Sequence, residues 1–397
     1  MKLDLDTVHK LTGVPNPAPR QLRLVKSTEP PEDKPREPTR PTTFDEMIGQ
    51  GDALRQIRTI VDDALESGDD ALPHMLIAGP SGTGKTTVAY IIAGLKDTKL
   101  HTLTPSGLRV VQDVAAALNG KVRKGDIVFI DEAQDLPKTV QNAFLVVMED
   151  GWLSYSVGQG KNRRVDTVQI PPFTLILGTT NPAKLNEALR GRCWRVDFTR
   201  YREDEISTIL QRAADKRGIS MTTEAADKLA MLARGTARRA TKTLLMEAKA
   251  QARLHAKAIG PDPETGELPT VPIDADVVDS MIENFQYDWL GLKEIDRRYV
   301  RALAIDEAGG PIGIEKLAQA AGLDISEAKD LEPWLIACRL MWVNGSGRWA
   351  SANAYQFLGQ VEGNDALYVP MPTTVSHSRT RPGGPWIDED WYNRITS

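Results

Sequence analysis

The stretch GPSGTGKTT, Gly79 to Thr87, satisfies the pattern G-x-x-x-x-G-K-[ST] and sits between the apolar run HMLIA and the helical VAYIIAG. Glycines such as Gly79, Gly82 and Gly84 let backbone N–H groups curl around phosphates at a helix N-terminus, with Thr83 and Thr87 completing the loop. Lys85 supplies a point charge to the β- and γ-phosphates of ATP, and the Thr86 hydroxyl can ligate Mg2+. About 45 residues later GDIVFIDEAQ ends a buried strand pattern in two carboxylates. Asp131 can hold the magnesium shell, and Glu132 can orient or deprotonate an attacking water. A third run, FTLILGTTN, ends in Asn181. Its amide either contacts the γ-phosphate or the water, or belongs to an ordinary strand-end turn. The chemistry implied is magnesium-dependent attack of water on a nucleoside triphosphate.

Other chemistries find less support. His9, His74, His101, His255 and His377 are scattered without ligand spacing, so no metal beyond magnesium is expected. No nucleophile, base and orienting acid form a coherent set. Cys193 and Cys338 are the only cysteines, which fits a reducing compartment rather than a disulfide framework. No apolar run approaches the ~18 residues that span a bilayer, and the N-terminus lacks a signal-peptide core, so a cytoplasmic protein without membrane contact is expected. The 397 residues carry a formal charge of −5. Any nucleic-acid contact must therefore rest on local basic patches.

The elements that must position these residues follow from texture. Seven of the 25 prolines fall in the first 40 residues among charges, predicting a mobile arm over 1–40. Short β-rich runs then alternate with helical patterns such as VQDVAAALNG and VQNAFLVVMED, predicting an α/β large domain with a parallel sheet over 41–200. Helical spacing prevails over 201–287, predicting a separate helical lid. Residues 288–360 read as three helices followed by a two-stranded hairpin in RLMWVNGSGRWASA, predicting a winged helix, and 361–397 as a second mobile tail. Trp342 and Trp349 could stack on nucleic acid, but aromatic residues in terminal strands usually pack a core, and that is the expectation adopted. Leu153, Tyr155 and Val157 alternate with Trp152, Ser154 and Ser156, as a strand with two distinct faces would. The turn that follows carries Lys161, Arg163 and Arg164, placed either for phosphates or simply for solvent.

The order of RPTTFDEMIGQ, GPSGTGKTT, FIDEAQ, MEDGWLSYSVGQG, PPFTLILGTTN, LRGRCW and RGTARR resembles that of an AAA+ ATPase, and more narrowly that of the RuvB family of Holliday junction branch migration motors. The resemblance runs from about Arg40 to Gly359 and implies a P-loop core, a helical lid and a C-terminal winged helix. It implies that Arg192, rather than Arg190, is a finger reaching the neighbouring subunit's γ-phosphate. The competing reading is a surface arginine pairing with Glu187 or Asp204. The resemblance further implies that Arg238 senses the subunit's own nucleotide and that Met47 and Ile48 lie against adenine. Similarly it implies that the hairpin 152–170 docks a junction-binding partner, its apolar face being either a docking or a core surface, and that Arg348 on the wing enters a DNA groove. A ring, hexameric in this family, would act on double-stranded DNA and four-way junctions.

Three departures stand out. Asn181 replaces a usual arginine, Ala133-Gln134-Asp135 replaces Ile-His-Arg, and two tails flank the core. TTN with GRC is also similar to clamp loaders, so a switch that loads a partner ring, or a DNA-binding scaffold with incidental hydrolysis, is an alternative.

Overall fold

The computed structural model describes residues 40–68, 71–157 and 164–363. Residues 1–39 of the expected arm and 364–397 of the expected tail, along with Lys161 and Arg163, lie outside the described residues. After helix α1 (Gly51–Ser67), strand β1 (Met75–Ala78) leads through the glycine-rich loop into α2 (Lys85–Leu95). Next come β2 (Leu100–Leu103), α3 (Val111–Leu118), β3 (Ile127–Ile130) and α4 (Lys138–Asp150). A hairpin of β4 (Trp152–Val157) and β5 (Arg164–Gln169) precedes β6 (Thr174–Thr179), α5 (Glu187–Gly191) and β7 (Trp194–Asp197).

Five strands form one parallel sheet in the order β2-β3-β6-β1-β7. Alternation along each strand sends successive side chains to opposite faces. Ile77, Ile127, Phe129 and Ile176 therefore join a core with α1 and α2, while Leu76, Val128, Ile130, Leu175 and Leu177 join a second core with α3 and α4. Both faces are covered, which is why β1, β3 and β6 read as continuous apolar runs. Strands β3, β6 and β1 lie side by side, so the three sequence stretches carrying candidate chemistry end at one edge of the sheet, where open α/β sheets hold their ligands.

A helical cluster follows, built from α6 (Glu203–Asp215), α7 (Thr223–Leu232), the short α8 (Ala237–Arg239) that continues through a π-helical turn into α9 (Leu245–Ile259), and α10 (Ala275–Phe285). Its helix starts follow the capping chemistry of the sequence: Thr222 and Asp274 accept from the N–H groups of Ala225 and Val277.

The last cluster comprises α11 (Glu294–Arg301), α12 (Ile314–Ala321), α13 (Ile325–Ala337), the hairpin β8 (Met341–Asn344) and β9 (Gly347–Ala350), and α14 (Ala352–Glu362). The last helix was not anticipated. Its signal was Ser351, whose side chain caps the Ala354 N–H.

Candidate nucleotide site at the strand ends

The P-loop is shaped by what presses on it. A Cβ on Gly79 would stand 2.4 Å from the Phe198 carbonyl oxygen. One on Gly82, whose φ is +78°, would stand 2.9 Å from Arg238 Cβ. Only glycine fits both places. At the start of α2, Lys85 is buried and its Nζ donates to the carbonyls of Gly79 at 2.8 Å and Pro80 at 2.9 Å. Burial pushes its ammonium below the ordinary lysine range against the opposing pull of Asp131 and Glu132, while Arg238 adds to the effect of burial. Asp131, Glu132 and Arg238 therefore all act on Lys85 across the loop. An anionic phosphate would meet a cation already largely stripped of water.

Thr86 Oγ1 lies 3.2 Å from Asp131 Oδ2. A hydroxyl and a carboxylate paired at the end of β3 are the oxygen donors that Mg2+ takes when it also binds phosphates, so the residues fit that ion. Among the described residues no cluster of three His, Cys, Asp or Glu side chains could hold a metal by itself. Thr83 is buried beneath the loop and Thr87 follows Thr86 on α2.

Glu132 adopts a left-handed conformation, φ 52°, which turns the chain away from β3 into a short 3-10 turn, Ala133–Asp135. Its carboxylate Oε2 accepts from Gln134 Nε2 at 2.6 Å. The residue following β6, Thr180, is exposed, as is Asn181, whose N–H donates to Thr179 Oγ1 at 3.1 Å.

The helical cluster reaches the loop at three points. Arg238 Nη1 donates to Ser81 Oγ at 3.2 Å, the Ala237 N–H donates to the Gly82 carbonyl at 3.1 Å, and the Tyr201 hydroxyl donates to the Thr83 carbonyl at 2.7 Å. Burial pushes the Tyr201 phenol up to about 12, which keeps it a donor. Met47 also belongs here: its Cε lies 3.1 Å from where a Gly84 Cβ would stand, and Ile48 beside it is half-buried. Sequence reading missed Ser81, Tyr201 and Gln134 as site residues. Gln134 stood out only as a departure from a pattern, and nothing in sequence marks a tyrosine 118 positions away as a partner of the loop.

Arg192 is placed elsewhere. Its guanidinium pairs with Glu149 at the end of α4 and donates to the Ala188 carbonyl at 3.3 Å. Neither Glu187 nor Asp204, the expected surface partners, is the one used, and neither contact involves the P-loop. The Nε of Arg190 is buried without a hydrogen-bond partner.

Two groups expected at interfaces make contacts within the chain. Leu153 is 2% exposed and lies in the α3–α4 core, with Tyr155 packed against it. These two residues of the strand therefore pack inward. Val157 is half-buried. The outward face carries Trp152 and, opposite Ser156, Val165 at 68% exposure. Arg164 pairs with Asp166 at 3.2 Å.

On the wing, Arg348 donates to Glu332 Oε1 from Nε at 2.7 Å and to Oε2 from Nη2 at 3.1 Å. Glu332 is buried and also accepts from the Tyr299 hydroxyl at 2.6 Å. Arg348 is thus engaged inside the domain, where leaving Glu332 buried and unpaired would cost more than the pair does. Trp342 is 45% exposed and stacks on Trp349 across the hairpin, centroids 6.1 Å apart, instead of filling the core.

Comparison with known proteins agrees with this geometry. Residues 39–197 match the family model described as the Holliday junction DNA helicase RuvB P-loop domain, and residues 289–359 match the RuvB C-terminal winged helix domain. The chain is 32% identical over 322 residues to the Holliday junction branch migration complex subunit RuvB of Streptococcus pneumoniae (strain CGSP14), spanning 81% of this chain and 92% of that protein. The Thermotoga maritima RuvB Holliday junction branch migration motor superimposes with a TM-score of 0.68 at 29% identity, covering 81% of this chain and 98% of the other. A point mutant of the same Thermotoga maritima protein gives 0.69 at 30% identity, again over 81% and 98%. With a P-loop sheet, a helical cluster leaning on it and a terminal winged helix, the chain has the AAA+ α/β fold and belongs to the RuvB family.

Proposed function

We propose that this chain is an ATP-driven ring motor that translocates duplex DNA and drives Holliday junction branch migration. The observation that carries the reading is the meeting of Lys85, the Thr86–Asp131 pair, Glu132 and the lid's Arg238 at one sheet edge, within a chain of the RuvB family. On this reading Lys85 exchanges the Gly79 and Pro80 carbonyls for the β- and γ-phosphates of ATP. Thr86 and Asp131 hold Mg2+, which supplies charge neutralisation on the phosphates when bound. Glu132 orients the water and takes its proton, and Asn181, which follows β6, contacts the γ-phosphate or the water. Met47 and Ile48 bound the adenine side, and Arg238 ties the lid's position to nucleotide state.

Arg192 serves the neighbouring subunit. Its contacts, Glu149 and the Ala188 carbonyl, support this because neither belongs to its own chain's loop. The assembly is a homo-oligomer, a hexamer in our reading, working in the cytoplasm on four-way junctions. Among the described residues no helix is long and apolar enough to cross a membrane. The working units are 41–200, 201–287 and 288–360. A junction-binding protein docks on the hairpin 152–170 through its outward Trp152 and Val165 face; the sequence between the two strands adds the basic residues Lys161 and Arg163, followed by Arg164. Arg348 contributes to DNA handling by holding the wing in place.

The test is complementation. Arg192→Ala and Lys85→Ala chains are each expected to be nearly inactive. In equal mixtures about a quarter of interfaces join an intact P-loop to an intact Arg192, so turnover recovers to a measurable fraction of wild type and falls on dilution. Mixed rings, verified by mass, with no activity above either parent would remove the assignment in trans.

A further inference from the structure

We propose that Gln134 is a positioning residue for ATP hydrolysis, a strut that fixes the Glu132 carboxylate relative to the end of β6. The inference rests on the reading of Glu132 given above. The Gln134 carboxamide spans two strand ends: Nε2 donates to Glu132 Oε2 at 2.6 Å, and Oε1 accepts from Thr179 Oγ1 at 2.7 Å and from the Thr180 N–H at 3.3 Å. The orientation of the amide is dictated by its partners. A backbone N–H only donates, so the oxygen end faces Thr180; a carboxylate only accepts, so the NH2 end faces Glu132. Flipping the group would break both sides at once.

Each support of this strut is itself held. Thr179 is buried, and its hydroxyl oxygen also accepts from the Asn181 N–H at 3.1 Å. Ala133, between the two interacting side chains, is fully buried. The turn is closed by the Asp135 N–H on the Glu132 carbonyl at 3.0 Å and the Leu136 N–H on the Ala133 carbonyl at 3.1 Å. A continuous path of hydrogen bonds thus joins the backbone of Asn181 to the carboxylate of Glu132. It occupies Oε2 and leaves Oε1 to engage water. A carboxylate held at one oxygen has a defined plane, and a misplacement of ~1 Å in such a group costs on the order of 100-fold in rate.

Gln134→Leu removes both arms of the strut, while Gln134→Glu keeps the acceptor toward Thr179 and Thr180, loses the donor toward Glu132 and sets a second carboxylate against it. Both are expected to lower kcat by about 10- to 100-fold while KM for ATP and affinity for a non-hydrolysable ATP analogue stay within about twofold. Gln134→His keeps a donor of similar reach and restores most of kcat. In a Glu132→Gln background, Gln134→Leu adds almost nothing, since the group it positions is gone. Exchange of the Thr180 amide hydrogen quickens in Gln134→Leu and stays protected in Gln134→Glu. Should Gln134→Leu fail to fold, Gln134→Glu decides. If wild type is active and Glu132→Gln inactive, yet both Gln134 variants keep wild-type kcat, the strut is overturned while the motor reading stands. A fall in kcat that tracks loss of analogue affinity, or that persists undiminished in the Glu132→Gln background, also overturns it. Full turnover by Glu132→Gln instead removes the reading on which it rests.

Discussion

The P-loop holds a buried cation and the wing a half-buried one, and they use it in opposite ways. Lys85 is held by two backbone carbonyls, neutral partners it can exchange for phosphate at little cost. Arg348 is held by both oxygens of Glu332, a buried carboxylate that cannot be left alone. The difference is between a cation whose partners can be exchanged and one whose partner cannot. A basic residue in a sequence is no guide to its role until its partner is known.

The comparison is most sharply tested by removing function without structure. Glu132→Gln should lower turnover by about 10²- to 10⁴-fold, retain binding of an ATP analogue, and shift the melting temperature by no more than about 2 °C. Loss of analogue binding or a large thermal shift would show the catalytic edge to be as structural as the wing.

Arg348→Ala should do the reverse. Exposing Glu332 to an unpaired burial costs about 3–5 kcal/mol, visible as early unfolding of the winged helix, with DNA-free ATPase turnover near wild type. Arg348→Met combined with Glu332→Gln keeps an acceptor for Tyr299 and should recover most of that loss. A stable Arg348→Ala whose duplex binding falls with one phosphate's worth of salt dependence would return Arg348 to the DNA interface.

Acid should also separate the two ends of the molecule. Burial lowers His74 beneath β1 to about 4 from 6.5, with Nδ1 accepting the Leu175 N–H. The unfolded chain takes up that proton first, so the contribution is intact above pH 6.5 and lost as pH falls to 4. Asp288 beside α11 is raised to about 6 from 3.8 because burial outweighs the Leu290 and Leu292 N–H groups and Arg297. Here the folded form binds the proton first, so its contribution is complete below pH 3.8 and lost as pH rises through 6. Each is worth on the order of 2–3 kcal/mol. Denaturant unfolding between pH 4 and 7 should show His74→Asn flattening the acid loss of the ATPase core. Asp288→Asn should stabilise the winged helix more at pH 8 than at pH 4. Equal responses in both regions would break the contrast.

The smallest effect belongs to Trp342. Its stacking on Trp349 at the surface makes Trp342→Ala cost about 1 kcal/mol in chemical denaturation. A loss of 3 kcal/mol or more would be that of a core tryptophan.

Legibility differed between these regions for a physical reason. Phosphate binding needs consecutive backbone N–H groups, a lysine and a hydroxyl within one turn, so Gly79 to Thr87 announce it locally. Parallel strands covered on both faces appear as short apolar runs, which is why β1, β3 and β6 were visible. The less apolar β2 and β7 at the sheet edges were not, because an edge strand carries fewer buried positions. On the hairpin, alternation revealed two faces, but only packing against α3 and α4 decided that Leu153 and Tyr155 turn inward.

The sequence by itself therefore determined the parallel P-loop core, the order of lid and winged helix, and the identity of Lys85, Thr86, Asp131 and Glu132 as a chemical set. Those depend on local backbone geometry and on apolar period. Tertiary structure alone decided that Gln134 bridges two strand ends 45 residues apart, that Tyr201 leans on the loop, and that Arg348 points at Glu332. A polar side chain has several partners within reach of its length. Which one it takes depends on what the folded chain brings beside it and on the cost of leaving a buried polar group unpaired.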